Sequence, residues 1–178
     1  MLDAHDIVAF WKNAGPAKWF GGGAAFDREC EMLFYDAHFA ASLRTLDGWL
    51  ETPEGALALL ILLDQVPRNI FRGTAHAYAT DALARAFARQ CVAAGHDTQV
   101  DPLLRLFFYL PFEHSEDLGD QEVSVQLHQS LPGAHSDGWA RKHYEVIREF
   151  GRFPHRNAAL GRTSTPAEVA YLQNGGGF

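Results

Sequence analysis

"TPEGALALLILLDQVPRNIF" (52–71) is the stretch on which the fold turns. Thr52 is a side-chain cap, Pro53 suits a first helical position and Glu54 favours the positive end of a helix, so a helix starts here. From Ala56 to Val66 only Asp64 and Gln65 are polar. A helix that is apolar all round has no solvent face, and the pattern predicts a central helix over about 53–66. A proline pushes the residue before it out of the α region, so this helix is expected to stop at Pro67. "VPRNIFRGT" (66–74) then reads as a loop.

The chain on either side is helical too. Residues 3–13 form a short amphipathic start, and "NAGPAKWFGGG" (13–23) reads as a loop with a Trp-Phe anchor. Phe26, Cys30, Leu33, Phe34, Ala37 and Ala41 recur at steps of three and four, which is one helix face. Downstream, "AYATDALARAFARQCVAAG" (77–95) is an alanine-rich helix whose small residues allow close approach by a neighbour. Asp101 and Pro102 restart the chain, and "LLRLFFYL" (103–110) predicts a buried helix ending at Pro111. Ser115 is expected to begin the next, with Glu116 and Asp117 in its first turn and Val123, Leu127 and Leu131 along its apolar line. "PGAHSDG" (132–138) separates that helix from one carrying Trp139, His143, Val146, Ile147 and Phe150 on one face. Thr165-Pro166-Ala167-Glu168 is a capping box for a last short helix, and the tail from about 173 to 178 is expected to fray. No strand pattern emerges. The reading is all-α: about eight helices in antiparallel pairs, a tetratricopeptide-like array without a sheet, forming a single domain over 1–178.

With 178 residues, 47% of them hydrophobic, the chain is long enough to bury a real core. Thirteen Phe, five Tyr and four Trp supply its large side chains. A net charge of −7 argues against nucleic acid and anionic membranes as partners, since both need a basic face. Cys30 and Cys91 sit within helical patterns and read as buried thiols in a reducing compartment. The acidic opening "MLDAHDIVAF" has no basic region of a secretory signal, and "ALALLILL" (56–63) is too short to cross a bilayer. A cytoplasmic location is the expectation.

Nucleophile elbows, P-loops, zinc-ligating cysteine pairs and H-E-x-x-H are absent, and "GGG" at 21–23 follows no strand. Three polar clusters carry whatever chemistry there is. "LLDQVPRN" places Asp64 and Gln65 at the end of an apolar helix, where a carboxylate needs a partner such as Arg68 or Arg156. "PFEHSED" supplies Glu113, His114, Glu116 and Asp117 at a turn. "FGRFPHRN" supplies Arg152, His155, Arg156 and Asn157. No Lys or Arg lies between Arg105 and Arg141, whereas 141–162 holds Arg141, Lys142, Arg148, Arg152, Arg156 and Arg162. The acidic turn is therefore expected to face the basic C-terminal segment.

Two Arg-Asn pairs, Arg68-Asn69 and Arg156-Asn157, admit two readings. In one, they satisfy helix-end carbonyls and pair with Asp64 or Glu113. In the other, two guanidiniums form a fork for a carboxylate or phosphate. Glu113-His114 is either a hydrogen-bonded turn or a general acid–base pair. A metal would need further ligands from Asp64, Glu116 and His155, and adjacent residues rarely ligate together, so no metal and no cofactor are expected. His143, on an apolar face, reads as a satisfied core residue.

At these stretches the chain also resembles a known family. "LLDQVPRNIFRGTAHAYATDALA" (62–84), "RLFFYLPFEHSEDLGDQEVSV" (105–125) and "FGRFPHRNAALGRTSTPAE" (150–168) are similar to the signature blocks of bacterial domain-of-unknown-function family 924. The resemblance runs from the first helix to about residue 172. It implies an all-helical, tetratricopeptide-like fold and no established activity. "WFGGGAAFD" (19–27) and Val66 depart from the family's usual residues without touching the polar clusters.

The expectation for function follows from the clusters. Asp64, Gln65, Arg68, Asn69, Glu113, His114, Arg152, His155, Arg156 and Asn157 are the candidate site, walled by Phe71, Phe107, Phe112 and Phe153. The leading reading is a binding site for a small anionic molecule or a peptide carboxylate. One alternative is a hydrolase or isomerase with His114 or His155 as general base, oriented by Glu113 or Asp64. The other is an interaction scaffold whose ion pairs only hold helices together.

Overall fold

A computed structural model describes residues 2–132 and 136–178, and among these every regular element is helical. Of the break expected at 132–138, residues 133–135 lie outside the described residues, and 136–138 already belong to the next helix. Helix α1 (Ala4–Trp19) opens with a capping box between Asp3 and Asp6 and runs further than the pattern suggests, kinking where Gly15 takes φ 73° ahead of Pro16. The expected Trp-Phe anchor divides: Trp19 is buried and donates its indole N–H to the Trp11 carbonyl at 2.6 Å, whereas Phe20 faces solvent.

Helix α2 (Gly23–Ser42) buries Phe26, Cys30, Phe34, His38 and Ala41, so His38 sits in register with the apolar face. Helix α3 (Pro53–Leu60) begins at Thr52, whose hydroxyl accepts from the Gly55 N–H at 3.1 Å. Every residue from Gly55 to Pro67 is buried, as an all-apolar central helix requires.

The helix does not stop at Pro67. Ile61–Gln65 widens into a π turn, and the chain continues as α4 (Val66–Ile70), with Val66 still in the α region at φ −54°, ψ −45°. The wider turn makes room for a proline that offers no N–H and would crowd the carbonyl four residues back. The carbonyls exposed by the change are taken up by side chains. His38 Nδ1 donates to Leu62 O at 2.9 Å and Thr80 Oγ1 to Leu63 O at 2.5 Å. Arg68 Nη1 donates to Asp64 O at 2.5 Å, and Asn69 Nδ2 to Gln65 O at 3.2 Å.

A 3-10 turn (Ala75–Tyr78) leads into α5 (Asp81–Ala93), whose small face packs on α3. The buried helix expected over 103–110 is instead a 3-10 segment (Arg105–Phe108) followed by the short α6 (Leu110–Glu113). Pro111 starts α6 rather than ending a helix, since a first-turn residue has no N–H bond to lose. Helix α7 (Leu118–Gln129) is capped by Asp117, later than Ser115, and its buried line is polar: Asp120, Gln121, Ser124 and His128. Val123, Leu127 and Leu131 only skirt the core. Helix α8 (Ser136–Phe150) packs on α7, burying Ala140, His143, Val146 and Ile147 and leaving Trp139 exposed. The Thr165–Glu168 capping box opens α9 (Pro166–Gln173) as the sequence indicates.

The main core wraps α3 and the π turn with Trp11, Phe26, Phe34, Phe107, Phe108, Tyr109 and Phe112. A smaller one joins Val146, Ile147 and Phe153. Cys30 and Cys91 are free and buried, and burial pushes their thiols up to about 12 and about 11. No helix among the described residues is long and apolar enough to cross a membrane.

Candidate functional site

The π turn places Asp64 in the interior, and His114, just after α6, meets it. His114 Nδ1 lies 2.8 Å and 3.0 Å from the two Asp64 oxygens, and Gln65 Nε2 donates to Oδ2 at 2.6 Å. Arg68, one turn further along, reaches Asp64 Oδ1 at 3.3 Å and binds Asp81 through both Nη atoms at 2.9 Å and 3.0 Å. Asp81, at the start of α5, accepts a hydrogen bond of 3.3 Å from Arg156 Nη1. The result is a chain of alternating charge, Asp64, Arg68, Asp81 and Arg156, with His114 hydrogen-bonded at its Asp64 end.

Burial works against the Asp64 carboxylate, but Arg68 and His114 override it and hold its pKa below the usual range. Burial and Arg68 lower the pKa of His114 despite the carboxylate beside it. An ionised Asp64 only accepts, so Nδ1 carries the imidazole proton and Nε2 keeps its lone pair. Among the described residues no hydrogen bond engages that nitrogen. A carboxylate-oriented imidazole with an uncommitted Nε2 is the geometry of a general base.

Arg156 is 6% exposed and lies between two rings, its Cζ 4.6 Å from the Tyr78 centroid and 4.4 Å from that of Phe153. Its Nε is buried with no hydrogen-bond partner among the described residues, and burial and Arg68 lower its pKa to about 10. Next to it, His155 Nδ1 is orphaned in the same way, and burial and Arg156 lower that imidazole to about 4. Buried polar atoms are nearly always partnered, so orphans on two residues consecutive in sequence stand out.

Glu113 stands behind His114, 3.4 Å from His128 Nε2 and 3.4 Å from His143 Nδ1. Burial and the Asp64 charge push it up to about 8, which leaves it protonated at neutral pH. His143 gives its Nδ1 proton to the Trp139 carbonyl at 2.9 Å, and burial lowers it to about 3.

Other expected members lie elsewhere. Arg152 binds Glu168 at 2.6 Å and 2.8 Å and takes no part in the chain of charges. Asn69 bonds the Gln65 carbonyl, and Asn157 joins Ser164 and Arg162. The acidic turn does meet the basic segment at Glu116, which receives Arg162 at 2.7 Å and 3.0 Å and the Phe153 N–H at 2.8 Å. Asp120 instead turns to Arg85 and Arg89. Of the expected walls only Phe153 lines the cluster: Phe107 and Phe112 belong to the main core, and Phe71 stacks on His76. Asp81 and Tyr78 went unmarked by sequence reasoning, because an acid at a helix start is expected for dipole reasons alone.

Among the described residues no group of three or more His, Cys, Asp or Glu could hold a metal ion. Two clefts, of about 590 Å³ and 450 Å³, lie along Glu149–Arg152 and α9 and between α1 and α3, and only Arg152 of the candidate residues touches either.

A family model described as bacterial proteins of unknown function, DUF924, matches residues 7–176. The chain belongs to the DUF924 family. The DUF924 chain is also similar to the solved structure of ATU0120 from Agrobacterium tumefaciens, itself described as a protein of unknown function. That likeness has 55% identity, a TM-score of 0.93 and coverage of 96% of this chain and 97% of that one. No curated protein matches.

Proposed function

We propose that this DUF924 protein binds a small carboxylate- or phosphate-bearing molecule at Arg156, with Arg68 lending positive charge. The observation that carries the reading is a nine-tenths-buried guanidinium with an orphaned Nε and, among the described residues, a single hydrogen bond of 3.3 Å. Burying a cation so poorly partnered is costly, and an incoming anion would satisfy it with charge-assisted hydrogen bonds. His155, with its own orphaned Nδ1, would add a donor.

A second reading is favoured by the Asp64–His114 pair. With Nδ1 committed to the carboxylate, Nε2 is poised to take a proton from a ligand held at Arg156, as in a hydrolase or isomerase.

Thermal unfolding in inorganic phosphate and in acetate tests the binding reading. A ligand that binds only the native state raises its melting temperature by mass action. The parent protein is expected to gain several degrees and Arg156→Met to gain none. Equal gains in the two proteins, or none in either, would refute it.

A further inference from the structure

Beyond α9 the chain turns back toward the cluster. Gly175 and Gly177 take φ values of 81° and 118°, and a Cβ on Gly176 would meet Tyr171 at 2.5 Å, so the turn is built for glycine. Among the described residues its hydrogen bonds run to α9: Gly175 N to Leu172 O at 3.2 Å, Gly176 N to Tyr171 O at 2.9 Å and Gly177 N to the Tyr171 hydroxyl at 3.1 Å.

Phe178 follows these glycines. Its ring lies flat on the His143 imidazole, with centroids 3.7 Å apart and 11° between the planes. It stands edge-on to Phe153 at 6.0 Å and to His155 at 5.6 Å. Phe178 is nonetheless 48% exposed, and its remaining ring neighbour among the described residues, Trp139, stands edge-on at 6.3 Å. Phe153 also carries the Arg156 guanidinium, at 4.4 Å from its centroid. One wall therefore serves both a stacked ring and an unsatisfied cation.

We propose that His143, Phe153 and His155 form a subsite for a planar aromatic ring, that the ligand is an aromatic carboxylate, and that Phe178 fills the subsite in its absence. The inference rests on the anion reading of Arg156. A neutral imidazole face against a ring, with edges supplied by a second aromatic and a second histidine, is the arrangement aromatic groups prefer. Phe178 satisfies it from the end of a glycine turn, so an incoming ring displaces it without disturbing a helix. The ligand's carboxylate then meets Arg156 Nε and His155 Nδ1, both of them buried without a hydrogen-bond partner among the described residues.

The test titrates the full chain and Phe178→Ala with phenylacetate, acetate and benzyl alcohol, following the imidazole signals of His143 and His155 by NMR. A slot partly filled by its own ring binds more weakly by the fraction left open, so Phe178→Ala is expected to bind phenylacetate about tenfold more tightly than the parent. Acetate should bind both proteins alike, and benzyl alcohol should bind Phe178→Ala more tightly than the parent. Equal phenylacetate affinity in the two proteins, with benzyl alcohol ignored by both, overturns the ring subsite while leaving the anion reading to stand on acetate. Benzyl alcohol binding to Phe178→Ala, with acetate binding neither, overturns the aromatic-carboxylate class and the anion reading together while upholding the ring subsite.

Discussion

Glu113 shows most directly what the cluster costs the fold. Its pKa rises from 4.5 to about 8, so the native state holds a proton that the unfolded chain has already released. Across that window stability falls as pH rises, by up to about 1.4 kcal/mol per unit, or on the order of 3 kcal/mol by pH 7. His143 and His155 run the other way. Their pKa values fall from 6.5 to about 3 and about 4, so below 6.5 the unfolded chain takes up protons the native state refuses, and stability drops with acidity. Asp64, held low, adds a further loss only as acid protonates it. The histidines lowered by burial outweigh one carboxyl below pH 6.5 and Glu113 dominates above it, so the melting temperature should peak near that pH. Glu113→Gln should be more stable than the parent at pH 7.5 and lose the alkaline decline. Calorimetry from pH 4 to 9 measures both, and an unchanged alkaline slope would show that Glu113 is ionised. The sequence placed Glu113 and His114 side by side but not their different fates. One faces Asp64, while the other is shut between two histidines from α7 and α8.

The π turn decides where Asp64 sits, and it shows how an element can depend on side chains far along the chain. In a regular helix ending at Pro67, Arg68 and Asn69 would belong to a loop. The wider turn keeps them helical and brings Arg68 between Asp64 and Asp81. The turn needs acceptors satisfied at Leu62 and Leu63, by His38 from α2 and Thr80 from the approach to α5. Thr80→Val removes the second donor while keeping the shape, leaving a buried carbonyl without its partner. The expected loss is about 1–3 kcal/mol in chemical denaturation. A loss confined to a few tenths would mean that the Leu63 carbonyl finds another donor. The proline rule failed here for a physical reason: the rule describes a proline met by an ordinary α turn, and three-dimensional neighbours stabilised a different turn.

At the scale of the molecule, the helices up to α6 share one apolar core, while the segment from Phe150 onward packs on α8 through the small Phe153 core and reaches the rest through polar contacts. Glu116 ties it to the rest by binding Arg162 twice and capping the Phe153 N–H, and Arg152 closes it internally on Glu168. Glu116→Ala should therefore speed amide hydrogen exchange across 153–164 by more than tenfold, while the amides of α2 and α3 stay as protected as in the parent. Uniform acceleration would place Glu116 in the global fold instead. The all-helical class, the central position of 53–66, the capping residues Thr52 and Thr165 and the burial of both cysteines were all legible in sequence, because each depends on local spacing and on which residues avoid water. The partners of the charged groups were not. Arg152, Arg68 and Arg156 look alike along the chain, yet one binds Glu168, one bridges Asp64 and Asp81, and one is left nearly unpartnered between Tyr78 and Phe153. Periodicity records only whether a side chain faces inward. Which opposite charge it finds there depends on how separate helices are brought together, and only the tertiary structure decided that.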